Sequence, residues 1–121
     1  MSIQPVILTV SSNLRNLELL KQFLGREGYE VITASFLEEF DRAISQSNQI
    51  KLGLIDVAGF DRRIWEWCKQ LRNQQISFLI ISPHQNTLIQ RQSLACGAIN
   101  ILVKPLVMKQ LSALIKSFIE D

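Results

Sequence analysis

The chain has 121 residues, of which 47% are hydrophobic and 20% are charged, and its formal net charge is +2. This length supports one globular domain, residues 1–121, and the composition excludes a disordered chain. Lysine and arginine are scattered among the acidic residues, so nothing indicates a nucleic-acid surface. No apolar run approaches membrane-spanning length. We therefore expect a soluble cytoplasmic protein that contacts neither nucleic acid nor membrane.

Five apolar segments of strand length alternate with segments of helical period. They predict strands at residues 6–10, 29–33, 51–56, 77–82 and 101–103. This alternation is typical of βα units, and right-handed crossovers then give an α/β fold with a doubly wound, five-stranded parallel sheet. The first, third and fourth segments are apolar almost throughout, as expected where helices cover both faces of the sheet.

The helical segments predict which side chains face the sheet. Ser12 or Asn13 caps the first helix, and Asp61 caps the third. The fourth helix is weaker and ends at Gly97, and the last begins near Val107. The residues predicted to face inward on the first three helices are Leu14, Leu17, Leu20, Phe23 and Leu24, then Phe36, Leu37, Phe40 and Ile44, then Ile64, Trp67, Cys68 and Leu71.

Polar side chains follow the strands where their carboxyl ends meet at one edge of the sheet, the edge at which α/β proteins bind ligands. They are Ser11, Ser12, Asn13, Asp56, Ser82 and Lys104. Only one of them, Asp56, is a carboxylate. The sequence therefore predicts a site at this edge with little negative charge.

At these positions the chain resembles the receiver domain of two-component response regulators. The resemblance runs from Pro5 to the end of the chain. Val10-Ser11-Ser12 stands where the family has an apolar residue and an acidic pair. The other matching segments are Leu54-Ile55-Asp56, Ile81-Ser82, Gly97-Ala98 and Val103-Lys104-Pro105.

The resemblance implies a flavodoxin-like (βα)5 fold with strand order 2-1-3-4-5. It also implies that Asp56 is the position that accepts a phosphoryl group from a histidine kinase. Ser82 and Lys104 would then bind the phosphoryl oxygens. In the family, a magnesium ion held by the acidic pair neutralises the transferring phosphate.

The chain departs from the family most clearly at Ser11 and Ser12, which replace the acidic pair. Magnesium prefers carboxylate oxygens, so we expect no cofactor and weak or absent Mg²⁺ binding. Losing the ion would slow phosphoryl transfer to Asp56 by about two to three powers of ten. Asp56 and Lys104 could instead form a partly buried ion pair. Further departures are Phe60 for the usual proline, Ile64 for the usual glycine, and Ile101 for the common aromatic residue.

These features predict an atypical receiver module of two-component or phosphorelay signalling, which acts through protein contacts and is not an enzyme. The partners implied by the resemblance are a histidine kinase or an output domain. The resemblance also implies a homodimer contact or a partner site on the face of the fourth helix, fifth strand and last helix, and we expect Leu88, Ile101 and Met108 in that contact.

Two other functions are compatible with the sequence. The chain could be a small phosphate- or flavin-binding protein that uses Ser11, Ser12 and Asn13, although helix capping is the simpler role of these residues. It could also be a fully active receiver that recruits acids from elsewhere, but Glu27 and Glu30 lie at the far end of the first unit. We interpret His84, the only histidine, as an exposed loop residue.

Overall fold

Ten elements alternate along the chain in the computed structural model, which describes residues 4–46 and 49–119. Five are strands: β1 (Val6–Val10), β2 (Glu30–Ala34), β3 (Ile50–Asp56), β4 (Phe78–Ser82) and β5 (Asn100–Val103). Five are helices: α1 (Leu14–Arg26), α2 (Leu37–Gln46), α3 (Ile64–Asn73), α4 (Thr87–Ala95) and α5 (Met108–Ile119). The predicted strands agree with these within one residue at either end.

All five strands are parallel and lie in the order β2-β1-β3-β4-β5. This confirms the predicted flavodoxin-like α/β fold and its strand order. Since β3 is the middle strand, its last residue, Asp56, lies at the centre of the carboxyl edge of the sheet.

The sheet divides the core into two layers. Leu20 and Leu24 of α1 and Leu111 and Ile115 of α5 pack on one face. The other face is covered mainly by α2 and α3, with buried Phe40 among the largest of these side chains. Helices on both faces explain why β1, β4 and most of β3 are buried throughout.

Trp67 lies on the inner face of α3, as predicted, and its ring is stacked on Phe40 at a centroid distance of 4.9 Å. Phe60, in the loop after β3, meets the same indole edge-on at 5.2 Å. These contacts attach the loop that follows Asp56 to the core.

Three residues predicted to face inward are exposed instead: Leu14 (69%), Phe36 (51%) and Leu37 (47%). All three stand at the beginning of a helix. In a parallel sheet the helices start at the carboxyl edge, so their first residues lie beyond the strands that could cover them. The helical period places these residues on the correct stripe, but the sheet does not extend that far.

The predicted cap of the third helix is also wrong. α3 begins at Ile64, and Arg63 occupies the capping position without a side-chain cap. Asp61 closes the preceding turn instead, because its carboxylate accepts a hydrogen bond of 2.9 Å from the Arg63 amide. At α1 the cap is Asn13, whose side chain accepts from the Asn16 amide.

None of the helices formed within residues 4–46 and 49–119 has the length and apolar character needed to cross a membrane.

Candidate functional site

The candidate site is organised around an ion pair between Asp56 and Lys104. The Lys104 Nζ lies 2.7 Å from Oδ2 of Asp56. The Asp56 side chain is 5% exposed and that of Lys104 29%. A carboxylate buried to this degree requires a partner, because the cost of removing its charge from water is otherwise uncompensated.

Backbone hydrogen bonds fix both members of the pair. The Ala58 amide donates to Oδ1 of Asp56 at 3.1 Å. The Lys104 amide donates to the Ser82 carbonyl at 2.9 Å, which extends the β4–β5 pairing by one step. The Lys104–Pro105 peptide bond is cis. Both carboxylate oxygens of Asp56 thus have a partner, Lys104 for Oδ2 and the Ala58 amide for Oδ1. The backbone of Lys104 is hydrogen-bonded to the last residue of β4.

Ser82 lies beside this pair but uses its hydroxyl locally. Its side chain is buried, and its Oγ donates to the His84 carbonyl at 2.5 Å. His84 is exposed, as predicted, and its Nε2 lies 3.5 Å from the side-chain Nδ2 of Asn86. The Ser82 hydroxyl would need to rotate away from this carbonyl before it could bind a group on Asp56.

The two serines at the acidic-pair positions take different environments. Ser11 is buried, and its Oγ accepts from the Asn13 amide at 3.1 Å. Ser12 is exposed, and its Oγ donates to the Ala58 carbonyl at 2.9 Å. Both hydroxyls thus form hydrogen bonds with backbone groups of the loops that surround Asp56.

Gly59 makes the contact with Ser12 sterically feasible. Its φ is +81°, and a Cβ at this position would lie 2.3 Å from the Ser12 Oγ. A side chain here would meet both a clash and a strained backbone. The loop after β3 therefore needs glycine to lie against the loop after β1.

Asp61, in the loop that follows β3, is a further carboxylate, and it forms an ion pair with Arg63. Arg63 contacts it at 2.7 Å. Hydrogen bonds from the Arg63 side chain and backbone lower the pKa of Asp61 to about 2. Glu27, by contrast, accepts a hydrogen bond from Ser112 in α5, and Glu30 begins β2 at the amino edge of the sheet. Neither glutamate reaches Asp56.

Within the part of the chain that the structure describes, no group of three or more His, Cys, Asp and Glu side chains could hold a metal ion. The Asp56 carboxylate is paired with Lys104, and the Ser12 hydroxyl and Ala58 carbonyl on the adjoining loops are neutral. Among these groups only Asp56 supplies a carboxylate, the ligand type through which magnesium is normally held.

The residues predicted for a dimer contact differ in exposure. Leu88 is 65% exposed and Met108 is 37% exposed. Ile101 is only partly exposed, because it packs against the core layer formed by α2 and α3. Leu94 of α4, which was not among the predicted contact residues, is more exposed than any of the three, at 71%.

One feature of the site was not predicted from the sequence. A cavity of about 530 Å³ opens beside the ion pair, between α1 and the beginning of α5. Asp56 and Lys104 line it together with Leu19 and Met108. The sequence feature that could have indicated this cavity is Leu19, an apolar residue that lies outside the inward-facing stripe of α1.

The fold, together with the site at the carboxyl edge of the sheet, defines a flavodoxin-like domain of the kind found in receivers. No protein-family model matches the sequence. A receiver domain protein (CheY-like) from Methanospirillum hungatei is 25% identical, with a TM-score of 0.86, over 95% of this chain and 93% of that chain. A two-component response regulator from Clostridium difficile is 24% identical, with a TM-score of 0.88, over 97% of each chain.

The predicted resemblance is thus confirmed, and the chain has the fold of a response-regulator receiver domain. It is also 25% identical over 124 residues to the transcriptional regulatory protein AruR of Pseudomonas aeruginosa. That match covers 98% of this chain and 51% of the relative, so the chain spans about half of the relative's length.

Proposed function

We propose that this chain is an atypical receiver module of two-component signalling that acts mainly by binding other proteins. Phosphorylation of Asp56 is weak or absent in this proposal, and so is Mg²⁺ binding. The observation that carries it is the 2.7 Å ion pair between Asp56 and Lys104, with neutral Ser11 and Ser12 on the adjoining loop.

The electrostatics of the pair support this proposal. Phosphoryl transfer to Asp56 brings further negative charge to a carboxylate that is already nine-tenths buried. Lys104 compensates one charge, and the described residues form no acidic group that could hold a second cation. Without that stabilisation the transfer is slower by about two to three powers of ten than with a bound divalent ion.

The proposed partners are proteins: a histidine kinase that contacts the Asp56 edge, or an output domain. AruR is a transcriptional regulatory protein of which this chain matches half, and an output domain as partner fits that relationship. Leu88, Ile101 and Met108 are the proposed contact residues for a homodimer or partner. We place this activity in the cytoplasm, in keeping with the free thiols of Cys68 and Cys96.

Incubation with acetyl phosphate, with and without Mg²⁺, tests the proposal, with the mass of the intact protein as the readout. We expect little phosphorylation in either condition and no acceleration by Mg²⁺. Asp56→Asn is the control that identifies the modified residue. Prompt, magnesium-dependent labelling that Asp56→Asn abolishes would contradict the proposal.

A gain of function provides the complementary test. The double variant Ser11→Asp/Ser12→Asp places two carboxylates on the loop that adjoins Asp56. We expect it to bind Mg²⁺, measured by calorimetry, and to acquire magnesium-dependent labelling of Asp56. If the double variant folds but labels no faster than the wild type, the missing acidic pair is not what limits the reaction.

A further inference from the structure

The charges of this chain are distributed unevenly along it. Residues 67–119 contain six lysine and arginine residues and no aspartate or glutamate. Helix α2, in the other half of the chain, carries Glu38, Glu39 and Asp41 and a single basic residue, Arg42. The small net charge of +2 therefore conceals a negative segment and a positive one.

These two segments lie at opposite ends of the sheet. α2 packs against β2, and α4 connects β4 to β5. Because the strand order is β2-β1-β3-β4-β5, β2 and β5 are the two outermost strands. The acid-rich α2 and the acid-free α4 are therefore separated by most of the width of the sheet, too far for contact within one molecule.

Helix α4 turns apolar side chains toward solvent. Leu88 and Leu94 are largely exposed. The polar Ser93 is fully buried instead, and its hydroxyl donates a hydrogen bond of 2.6 Å to the Ile89 carbonyl. Leu88, Arg91 and Leu94 follow one another at intervals of three residues, so they lie on one side of the helix. These three residues form the basic face of the domain.

A second exposed group lies at the beginning of α2. Phe36 and Leu37 are about half exposed, and Glu38 and Asp41 are exposed. Asp41 follows Glu38 by three residues and Leu37 by four, so these side chains are neighbours on the helix surface. Phe36, Leu37, Glu38 and Asp41 form the acidic face of the domain.

Each face complements the other and not itself. Both combine two large apolar side chains with charge, which is negative on α2 and positive on α4. No ion pair within residues 4–46 and 49–119 includes Glu38, Asp41 or Arg91. A symmetric contact through either face alone would bring like charges together and disfavour association, whereas a contact between unlike faces pairs them.

We propose that a second copy of this chain docks head to tail, with the acidic face of one copy on the basic face of the next. Glu38 and Asp41 would accept hydrogen bonds from the Arg91 guanidinium. Leu88 and Leu94 would pack against the apolar part of the acidic face. Each pair of copies keeps one face of each kind free, so association continues beyond the dimer. The inference rests on the proposed function in one respect, that Leu88 lies in a protein contact, and it specifies the surface that meets this residue.

Sedimentation velocity of the full chain over a range of concentrations is the first test. We expect the mean mass to rise with concentration past that of a dimer. Salt at about 1 M should reverse the rise, because it screens the charges of the contact. A chain that remains monomeric at all concentrations, or one that stops at the dimer, would overturn the proposal.

Charge reversal on one face at a time tests the pairing. The two variants are Arg91→Glu and Glu38→Lys/Asp41→Lys, and each should stay monomeric because its two faces then carry like charge. An equimolar mixture should associate again, since each variant supplies the face that the other lacks. A single chain with all three substitutions exchanges the signs of both faces and should also associate.

The matched controls are Arg15→Glu and Glu18→Lys on α1. Both positions are exposed and lie outside the two faces, so these variants should associate as the wild type does. Circular dichroism shows whether each variant is folded. A mixture of the two charge-reversed variants that stays monomeric, although both are folded, would refute the pairing of the faces.

One outcome separates this inference from the proposed function. If Glu38→Lys/Asp41→Lys associates as the wild type does while Leu88→Glu does not, the contact through α4 is symmetric. The head-to-tail inference then fails, and the proposed contact at Leu88 stands. Acetyl phosphate labelling tests the phosphorylation part of the proposed function independently of association.

Discussion

The hydroxyl of Ser12 donates a hydrogen bond of 2.9 Å to the carbonyl of Ala58, two residues past Asp56. This bond joins the loop after β1 to the loop after β3. It pairs two neutral groups, the Ser12 hydroxyl and the Ala58 carbonyl, at a position where the resemblance implies a metal-binding acid. This hydrogen bond therefore connects the two loops at the edge of the sheet that carries Asp56.

Gly59 should be sensitive to substitution because it lies under Ser12. Gly59→Ala should lower the free energy of unfolding by more than about 1 kcal/mol, owing to its positive φ and the Cβ clash. Urea denaturation measures the change. Adding Ser12→Ala should relieve the clash and leave the backbone strain.

Gly25 provides the matched control for that experiment. It lies in α1, and a Cβ there would meet nothing within 4 Å. Gly25→Ala should stabilise the protein by about 0.5–1 kcal/mol through helix propensity. Equal effects of alanine at both glycines would show that the contact between the two loops is not important for stability.

The ion pair should behave as a coupled unit in a double-mutant cycle. Lys104→Met should lower the free energy of unfolding by about 3 kcal/mol, because it leaves the buried Asp56 carboxylate unpaired. Adding Asp56→Asn should recover part of this loss. Chemical denaturation of the four proteins gives the coupling energy, and additive effects would mean that the two charges do not interact in solution.

Stability should decline at alkaline pH because of Cys68. Burial raises the pKa of the Cys68 thiol to about 12, with a smaller contribution from Cys96. Between pH 9 and 12 the unfolded chain loses this proton while the folded protein keeps it. The unfolded state is then favoured as pH rises, by about 1.4 kcal/mol per pH unit at most.

Cys68→Ala isolates this effect from other groups that titrate in the same range. The difference in unfolding free energy between wild type and variant should shrink steadily from pH 9 upward. A difference that stays constant with pH would show that the Cys68 thiol ionises equally in both states.

Self-association through the proposed face should depend on its exposed apolar residues. Leu88→Glu and Met108→Glu should each shift the protein toward the monomer in sedimentation experiments, because a charge would enter the contact. Leu14→Glu introduces the same charge outside this face and should leave the distribution unchanged. A wild-type protein that stays monomeric at high concentration would argue against the dimer.

Much of the fold was predictable because its pattern is local. Apolar runs in β1, β3 and β4 reflect burial on both faces, and the helical stripes of α1 and α3 matched the residues that pack on the sheet. The exposed positions Leu14 and Phe36 were not predictable in this way. Their exposure depends on where the strands end, which periodicity within a helix does not encode.

The candidate site was predictable in part. Asp56 and Lys104 could be paired in advance, because strand order brings the ends of β3 and β5 to one edge of the sheet. The hydrogen bond from the Ser82 hydroxyl to the His84 carbonyl could not be predicted, since it depends on the path of a loop. The cavity beside Leu19 depends on the separation of two helices that are far apart in sequence.

The contact between Phe60 and Trp67 allows the fluorescence of Trp67 to report on the loop that follows Asp56. Phe60 lies four residues past Asp56, and its ring meets the indole at 5.2 Å. Any rearrangement of this loop alters the surroundings of a buried chromophore, so events at the sheet edge can be followed by intrinsic emission without a dye. Replacing Trp65 by phenylalanine would leave Trp67 as the single tryptophan.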